Sequence, residues 1–366
     1  MLSEDSLHIF KVLFSDRKVN RLNINSDTRE WLMTLYDKIK NIQASTLKFD
    51  KIVECKTLEQ EQYISDRFTS AKIKKDIFKI KDCSMYNILN TDIVIGNNCS
   101  ENVNMQHITN IISIMRSLSD NNGHILINIW NTHHKKHLPK HCNRLEPENI
   151  NSGATLPGHY INLWRMEELY KVLIHELIHT FFLDFRDNTD NKYKKGLIED
   201  YLRNTVNIKQ NSPVYIQESY TEFLAILIHS IYISKSFKMF IKILSCELDF
   251  NFLQCAKILN HFNCSNNSDL FSNKCQIEYD TDVLSYFYIK TALLQSLNES
   301  VNFMNQNNTN IVNFNDNSQK DYLKLIDFCI KNKEFIEKIN KNIINIKNCN
   351  DTILKNSLRM TLFQNN

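Results

Sequence analysis

Apolar residues recur at helical spacing over Thr28–Gln43, Leu58–Phe78 and Val103–Leu118, so each of these stretches predicts an amphipathic helix. The pattern changes between them. Thr91–Ile95 is rich in β-branched residues, and His124–Trp130 alternates, with apolar side chains at 125, 127 and 129, so both predict strands. His159–Trp164 predicts a third short strand. From Val172 to Leu183 the apolar character no longer alternates, and apolar residues fall on every side of the helix. Such a helix belongs in a core. Val214–Ile233 carries no Gly or Pro and predicts another long helix.

Helix breakers organise the chain. All five Gly (96, 123, 153, 158, 196) and all four Pro (139, 147, 157, 213) lie between 96 and 213. The stretches 1–95 and 214–366 contain none and are expected to be dominantly helical. The fold class expected is α+β and predominantly helical, with a small β-sheet packed on the helix at Val172–Leu183. Three regions follow: a helical N-terminal region over 1–88, a central domain over 89–304, and a linker with C-terminal helices over 305–366. The Asn-rich tract from Asn302 to Asn317 has the composition of a flexible linker.

The buried helix is also where the chemistry lies. It contains His175-Glu176-Leu177-Ile178-His179, an HExxH pattern. Histidines four apart on a helix sit on one face, one turn apart. Two neutral imidazoles at that spacing can share a tetrahedral Zn²⁺. Glu176 then stands beside the metal, where a carboxylate can act as general base toward water. Burying two imidazoles and a carboxylate among apolar residues is costly unless they are coordinated or paired.

Such a site needs a third ligand. Glu218 and Glu222 share a face of the helix at Val214–Ile233. They are either a solvated acidic stripe, or Glu218 is the third ligand and Glu222 orients a ligating histidine through its second ring nitrogen. Asp184, close to the motif, is a further candidate for the third ligand, although it falls about 140° round the helix from His179.

HExxH followed by a glutamate on a later helix, with an acidic residue four positions on, resembles the gluzincin zinc metallopeptidases. That resemblance implies a zincin-like core, with His175, His179 and Glu218 as ligands, Glu176 as base and Glu222 oriented on a histidine. The metzincin pattern would need Gly at 182 and His at 185, where this chain has Phe182 and Phe185. Residues roughly 90–300 also resemble metallopeptidase-like proteins of large nucleocytoplasmic DNA viruses. The likeness runs through Asn151-Ser152-Gly153, through Trp164-Arg165-Met166-Glu167-Glu168-Leu169-Tyr170-Lys171-Val172, and through Leu183-Asp184-Phe185.

The remaining features narrow this picture. In zincins an edge strand beside the active helix pairs with an extended peptide. His124–Trp130 or His159–Trp164 could serve, and Asn151–Thr155 has the small residues that permit close backbone approach. Tyr288 or Tyr286 is the expected hydrogen-bond donor to a developing oxyanion. His229 lies three turns from Glu218 and reads as structural. His133, His134, His137, His141 and Cys142 are interleaved with lysines and read as a solvated basic loop.

A net charge of +3 over 366 residues calls for no nucleic acid partner. No apolar run reaches membrane-spanning length, and the first residues lack a signal peptide's basic and apolar regions. About one residue in eight is Asn, a coding bias rather than a function. Ten scattered cysteines with no CxxC read as reduced thiols. A cytoplasmic zinc-dependent endopeptidase acting on a peptide or protein substrate is the expectation. The alternatives are a zinc amidohydrolase on a non-peptide substrate and a non-catalytic viral interaction protein that retains the metal site.

Overall fold

The computed structural model describes residues 2–15, 19, 21–42, 48–54, 68–97, 103–119, 121–140, 144–185, 192–272 and 274–364; for 48–54, 97 and 192–198 it describes the backbone alone. The longer helices are α1 (Glu4–Phe14), α2 (Ser26–Lys40), α3 (Ala71–Ile77), α4 (Met105–Leu118), α5 (Leu169–Thr180), α6 (Lys192–Thr205), α7 (Ile216–Ile233), α8 (Phe237–His261), α9 (Lys290–Gln295), α10 (Leu297–Asn307), α11 (Gln319–Ile330) and α12 (Lys333–Lys347). The strands are β1 (Lys48–Glu54), β2 (Asp82–Ile88), β3 (Thr91–Asn97), β4 (Ile125–Asn131), β5 (Gly153–Leu156) and β6 (Tyr160–Leu163). The chain is thus mostly helical with one small mixed sheet. No helix among the described residues is long and apolar enough to cross a membrane.

The six strands run in the order β1-β2-β3-β4-β6-β5. β3, β4 and β6 are parallel, and the other neighbours are antiparallel. The isoleucines at 125, 127 and 129 are buried, as their alternation demands. They join a continuous core with α2, α4, α5, α7 and α8. The opposite face of the sheet packs Trp130 and Trp164 against Ile73, Ile77 and Ile80 of the α3 region.

Several expectations need correction. The stretch 1–95, expected to be dominantly helical, also holds β1 and β2. β2 and β3 form a hairpin whose two turn residues, Leu89 and Asn90, have φ of 46° and 55°. Such turns usually carry Gly. A reading keyed to Gly and Pro passes over one built on Leu-Asn. The helix expected at Leu58–Phe78 is observed only as α3, and residues 58–67 lie outside the described ones.

The Asn-rich tract is not a linker. Val312 and Phe314 within it are buried. The Tyr220 hydroxyl donates to the Val312 carbonyl at 2.7 Å, and the Phe314 N–H donates to the Leu183 carbonyl at 2.9 Å. Phe314 also packs against Phe185, with ring centroids 3.7 Å apart. Phe303 and Met304 of the same tract are buried too, so a few apolar side chains anchor it, and composition alone hides them.

Two more readings change. Cys264 and Cys275 are disulfide-bonded rather than free thiols. The stretch around His133–Lys140 is not simply a solvated loop. His134 pairs with Asp76 at 2.9 Å, while Lys136 is buried and pairs with Glu168 at 2.8 Å. His141 and Cys142 lie outside the described residues.

The buried lysines make a testable demand on stability. Lys257 donates to the Gln254 side-chain oxygen at 2.7 Å and to the Ser357 carbonyl, and burial pushes its pKa down to about 7. An unfolded chain keeps that proton until about pH 10.4. Between these values the unfolded state binds more protons, so this group makes stability rise with pH. The gradient is on the order of 1 kcal/mol per pH unit. Urea unfolding of Lys257→Met and the parent at pH 7, 8.5 and 10 should show the parent gaining stability relative to the variant as pH rises. A constant difference would mean that Lys257 titrates normally.

Candidate metal centre

α5 carries the HExxH residues, and left-handed residues bound it at each end. Glu168 precedes it with φ of 64°, and Phe182 follows it with φ of 55°. At the C-terminal end the Leu183 N–H donates to the Ile178 carbonyl at 3.0 Å, and the Phe182 N–H donates to the His179 carbonyl at 3.1 Å. This is the helix-ending turn usually completed by Gly. Phe182 takes the glycine position, and the chain reverses without one. The reversal brings Asp184 back over the helix end, where its Oδ2 lies 2.5 Å from His179 Nδ1. The same oxygen accepts from the Thr221 hydroxyl at 3.0 Å. Asp184 therefore sits behind His179 rather than among the donor atoms.

α7 packs against α5 and presents the carboxylates. Glu218 Oε2 lies 3.4 Å from His175 Nε2 and 3.3 Å from His179 Nε2, and the two Nε2 atoms are 3.1 Å apart. These three residues form the one His/Cys/Asp/Glu group among the described residues able to hold a metal ion. Bonds of about 2.0–2.1 Å at tetrahedral angles put donor atoms roughly 3.3 Å apart. The triangle has that edge length. Glu218 Oε2 is buried with no hydrogen-bond donor, as a ligand oxygen facing a cation would be. The donor set and its spacing fit a zinc ion.

The electrostatics agree with that fit. Burial opposes charge on each group, and on the histidines it is outweighed by carboxylates. Glu218 and Glu222 raise the pKa of His175, while Asp184 and Glu218 raise that of His179. Glu218 itself is held well below the usual carboxylate range by the two histidines. A field that favours protons on these nitrogens favours a divalent cation in their place.

Glu222 reaches the other side of His175, with Oε1 2.8 Å from Nδ1 but off the axis of the ring N–H. Glu222 also meets two buried cations that the sequence reading did not assign, Lys171 and Lys290. They had a signal: each is a lysine inside an otherwise apolar helical run. Glu222 is held far below the usual carboxylate range, with these lysines outweighing the cost of burial.

Glu176 faces β5. Its Oε2 accepts from the Thr155 hydroxyl at 2.6 Å. Its Oε1 lies against Gly153, where a Cβ would stand 2.6 Å from that oxygen and 2.9 Å from Leu163 Cδ2. Residues 153 and 155 point to the same side of a strand. The small residue at 153 thus makes room for the carboxylate, and Thr155 fixes it. The edge strand beside α5 is β5, Gly153–Leu156, in place of His124–Trp130 or His159–Trp164, which are interior to the sheet.

The tyrosine assignment is corrected. Tyr288 is buried away from the triangle and donates its hydroxyl to Asn267 at 2.7 Å. Tyr286 lines the cavity instead, with its ring 6.0 Å from that of His175. Both sit in a π-type turn over Leu284–Ile289 leading into α9. Residues two apart on a helix face opposite ways, about 200° round at 3.6 residues per turn, so the turn that brings Tyr286 to the cavity carries Tyr288 away from it. Asp282 ties this turn to the start of α7, accepting from the N–H groups of Ser285, at 3.2 Å, and of Tyr215. Burial of Tyr286, with Glu218 and Asp282 nearby, raises its pKa well above the usual value, so it stays a hydroxyl donor. His229 is buried and burial drives its pKa down to about 3, consistent with a structural role.

A cavity of about 470 Å³ lies over the triangle, walled by Phe182, Phe185 and Pro157 on one side and by Tyr286 on the other. A second, of about 820 Å³, continues past Gln217 and Tyr215 toward Arg203. The two share Phe68, Gln217, Glu218 and Tyr286.

The chain is 30% identical over 204 residues to an uncharacterised protein of Acanthamoeba polyphaga mimivirus, an alignment that takes in 52% of this chain and 48% of that one. It therefore spans about half the length of the relative it matches. No family model matches the chain. No solved structure matches it either.

Proposed function

We propose that the chain is a zinc-dependent endopeptidase with a gluzincin-type site in a zincin-like core. The observation that carries this reading is the triangle of His175, His179 and Glu218 donor atoms, 3.1–3.4 Å on each edge, with the Glu176 carboxylate beside it. A zinc ion held there would supply Lewis-acid polarisation of a carbonyl and lower the pKa of water.

The chain's own residues supply the rest. Glu176 Oε2 is anchored by Thr155, which leaves the carboxylate fixed to take a proton from the attacking water. The same carboxylate returns that proton to the leaving amine nitrogen as the C–N bond breaks. The Tyr286 hydroxyl is available to donate to the carbonyl oxygen as it gains charge. Among the described residues no strand pairs with the outer edge of β5, so that edge can align an extended peptide beside Glu176. Two adjoining cavities form a trough longer than a single small amide needs, which favours a peptide over a non-peptide substrate.

Three outcomes test the reading. Metal analysis of the purified chain should give one zinc, lost in His179→Ala and Glu218→Ala; a parent chain without zinc refutes the proposal. Glu176→Gln should keep the metal and the fold while turnover on a peptide library drops about 10³-fold. Loss of zinc in that variant would make Glu176 a structural group. Tyr286→Phe should lower kcat by about 10²-fold with zinc content unchanged, as expected for an oxyanion donor. An unaltered kcat would remove Tyr286 from the mechanism.

A further inference from the structure

Behind the triangle lies a set of buried charges that the proposed chemistry does not use. Lys171 is one turn before His175 on α5, and Lys290 opens α9. Their exposures are 1% and 0%, and that of Glu222 is 1%. Lys171 Nζ is in contact with Glu222 Oε1, and Lys290 Nζ lies 3.2 Å from Glu222 Oε2. Each carboxylate oxygen thus has its own ammonium group. Lys290 is held in turn, since it donates to the Met360 carbonyl at 3.1 Å. Glu222 Oε1 is also the atom 2.8 Å from His175 Nδ1.

The other ligating histidine is backed differently. Asp184 Oδ2 meets His179 and the Thr221 hydroxyl, and among the described residues no lysine stands within ion-pair distance of it. Asp184 has a short side chain on a turn fixed by Phe182 and Phe314. Glu222 has one more rotatable bond and projects from a helix. A glutamate that must sit at one point beside an imidazole needs restraint from elsewhere, and two opposed ammonium groups provide it.

We propose that Lys171 and Lys290 are positioning residues for the metal centre, clamping the Glu222 carboxylate so that the His175 ring keeps Nε2 aimed at His179 and Glu218. This rests on the metal reading above. It makes a prediction opposite in sign to simple electrostatics. Two cations near a dication site repel it, so their removal should tighten binding if charge is all they contribute. A clamp, when removed, loosens it.

The test is a double-mutant cycle on the full chain, read by competition of a chelator for Zn²⁺ and by the visible spectrum of the Co²⁺-substituted protein. Lys171→Met should weaken zinc binding about 10-fold or more, in the range seen when a group orienting a ligand is lost. It should also alter the Co²⁺ spectrum. In a Glu222→Ala background the same substitution should change affinity less than about 2-fold, because no side-chain oxygen is left to clamp. Lys290→Met gives an independent second arm should Lys171→Met fail to fold. Tighter or unchanged zinc binding in the lysine variants, or an equal effect in both backgrounds, overturns the clamp. A parent chain that binds no zinc overturns the metal reading itself, so the two failures are distinguishable.

Discussion

Burying charge is the constraint on which the rest of this structure depends. α5 is enclosed on all sides, so His175, Glu176 and Lys171 are taken out of water together. An ion stranded in that position costs several kcal/mol, and removing one partner of a buried pair costs about 3–5 kcal/mol. Each neighbouring element therefore brings a compensating group. α7 supplies Glu218 and Glu222, α9 supplies Lys290, the turn after α5 supplies Asp184 and β5 supplies Thr155. Four carboxylates gather around this centre, at 176, 184, 218 and 222, against the ammonium groups of Lys171 and Lys290.

The same constraint explains the strained backbone at both ends of α5. Glu168 adopts its left-handed conformation where its carboxylate meets Lys136 and accepts the N–H groups of Met360 and Thr361 at 2.7 and 2.6 Å. Phe182 adopts its own where the chain turns to deliver Asp184 to His179. Non-glycine residues in this region cost of order 1–3 kcal/mol each, and they persist where surrounding contacts over-determine them. Here those contacts are carboxylates bonded from both sides, and an aromatic cluster of Phe185, Tyr220, Phe314 and Tyr322 beneath the turn.

What was legible in the sequence is what depends on spacing along one helix. His175 and His179 on one face of α5, and Glu218 and Glu222 on one face of α7, follow from the 3.6-residue repeat. The interior strands β3, β4 and β6 followed from alternation and β-branched content. Features that depend on a local departure from regular geometry were not legible. A hairpin turn made of Leu89 and Asn90, a helix end turned by Phe182 and a π-type turn before α9 each lack the glycine or regular period that would announce them. Long-range pairings such as Lys290 with Glu222, 68 residues apart, leave only the faint mark of a lysine in an apolar run.

The edge strand shows how far one residue's size can govern such a site. β5 has to lie close enough to α5 for Thr155 to reach Glu176, yet leave space for the carboxylate itself. Gly153 resolves that conflict, since any side chain there would collide with Glu176 Oε1. Strand pairing with β6, Gly153 to Leu163 and Thr155 to Ile161, then sets the strand's height along the helix. β5 is at the sheet margin, so one face of it holds Glu176 while, among the described residues, no strand pairs with its outer edge. A peptide aligned on that edge would lie alongside the carboxylate that the strand positions. On the proposed reading, the element that would hold a substrate and the element that anchors Glu176 are one and the same, so their relative placement needs no separate device.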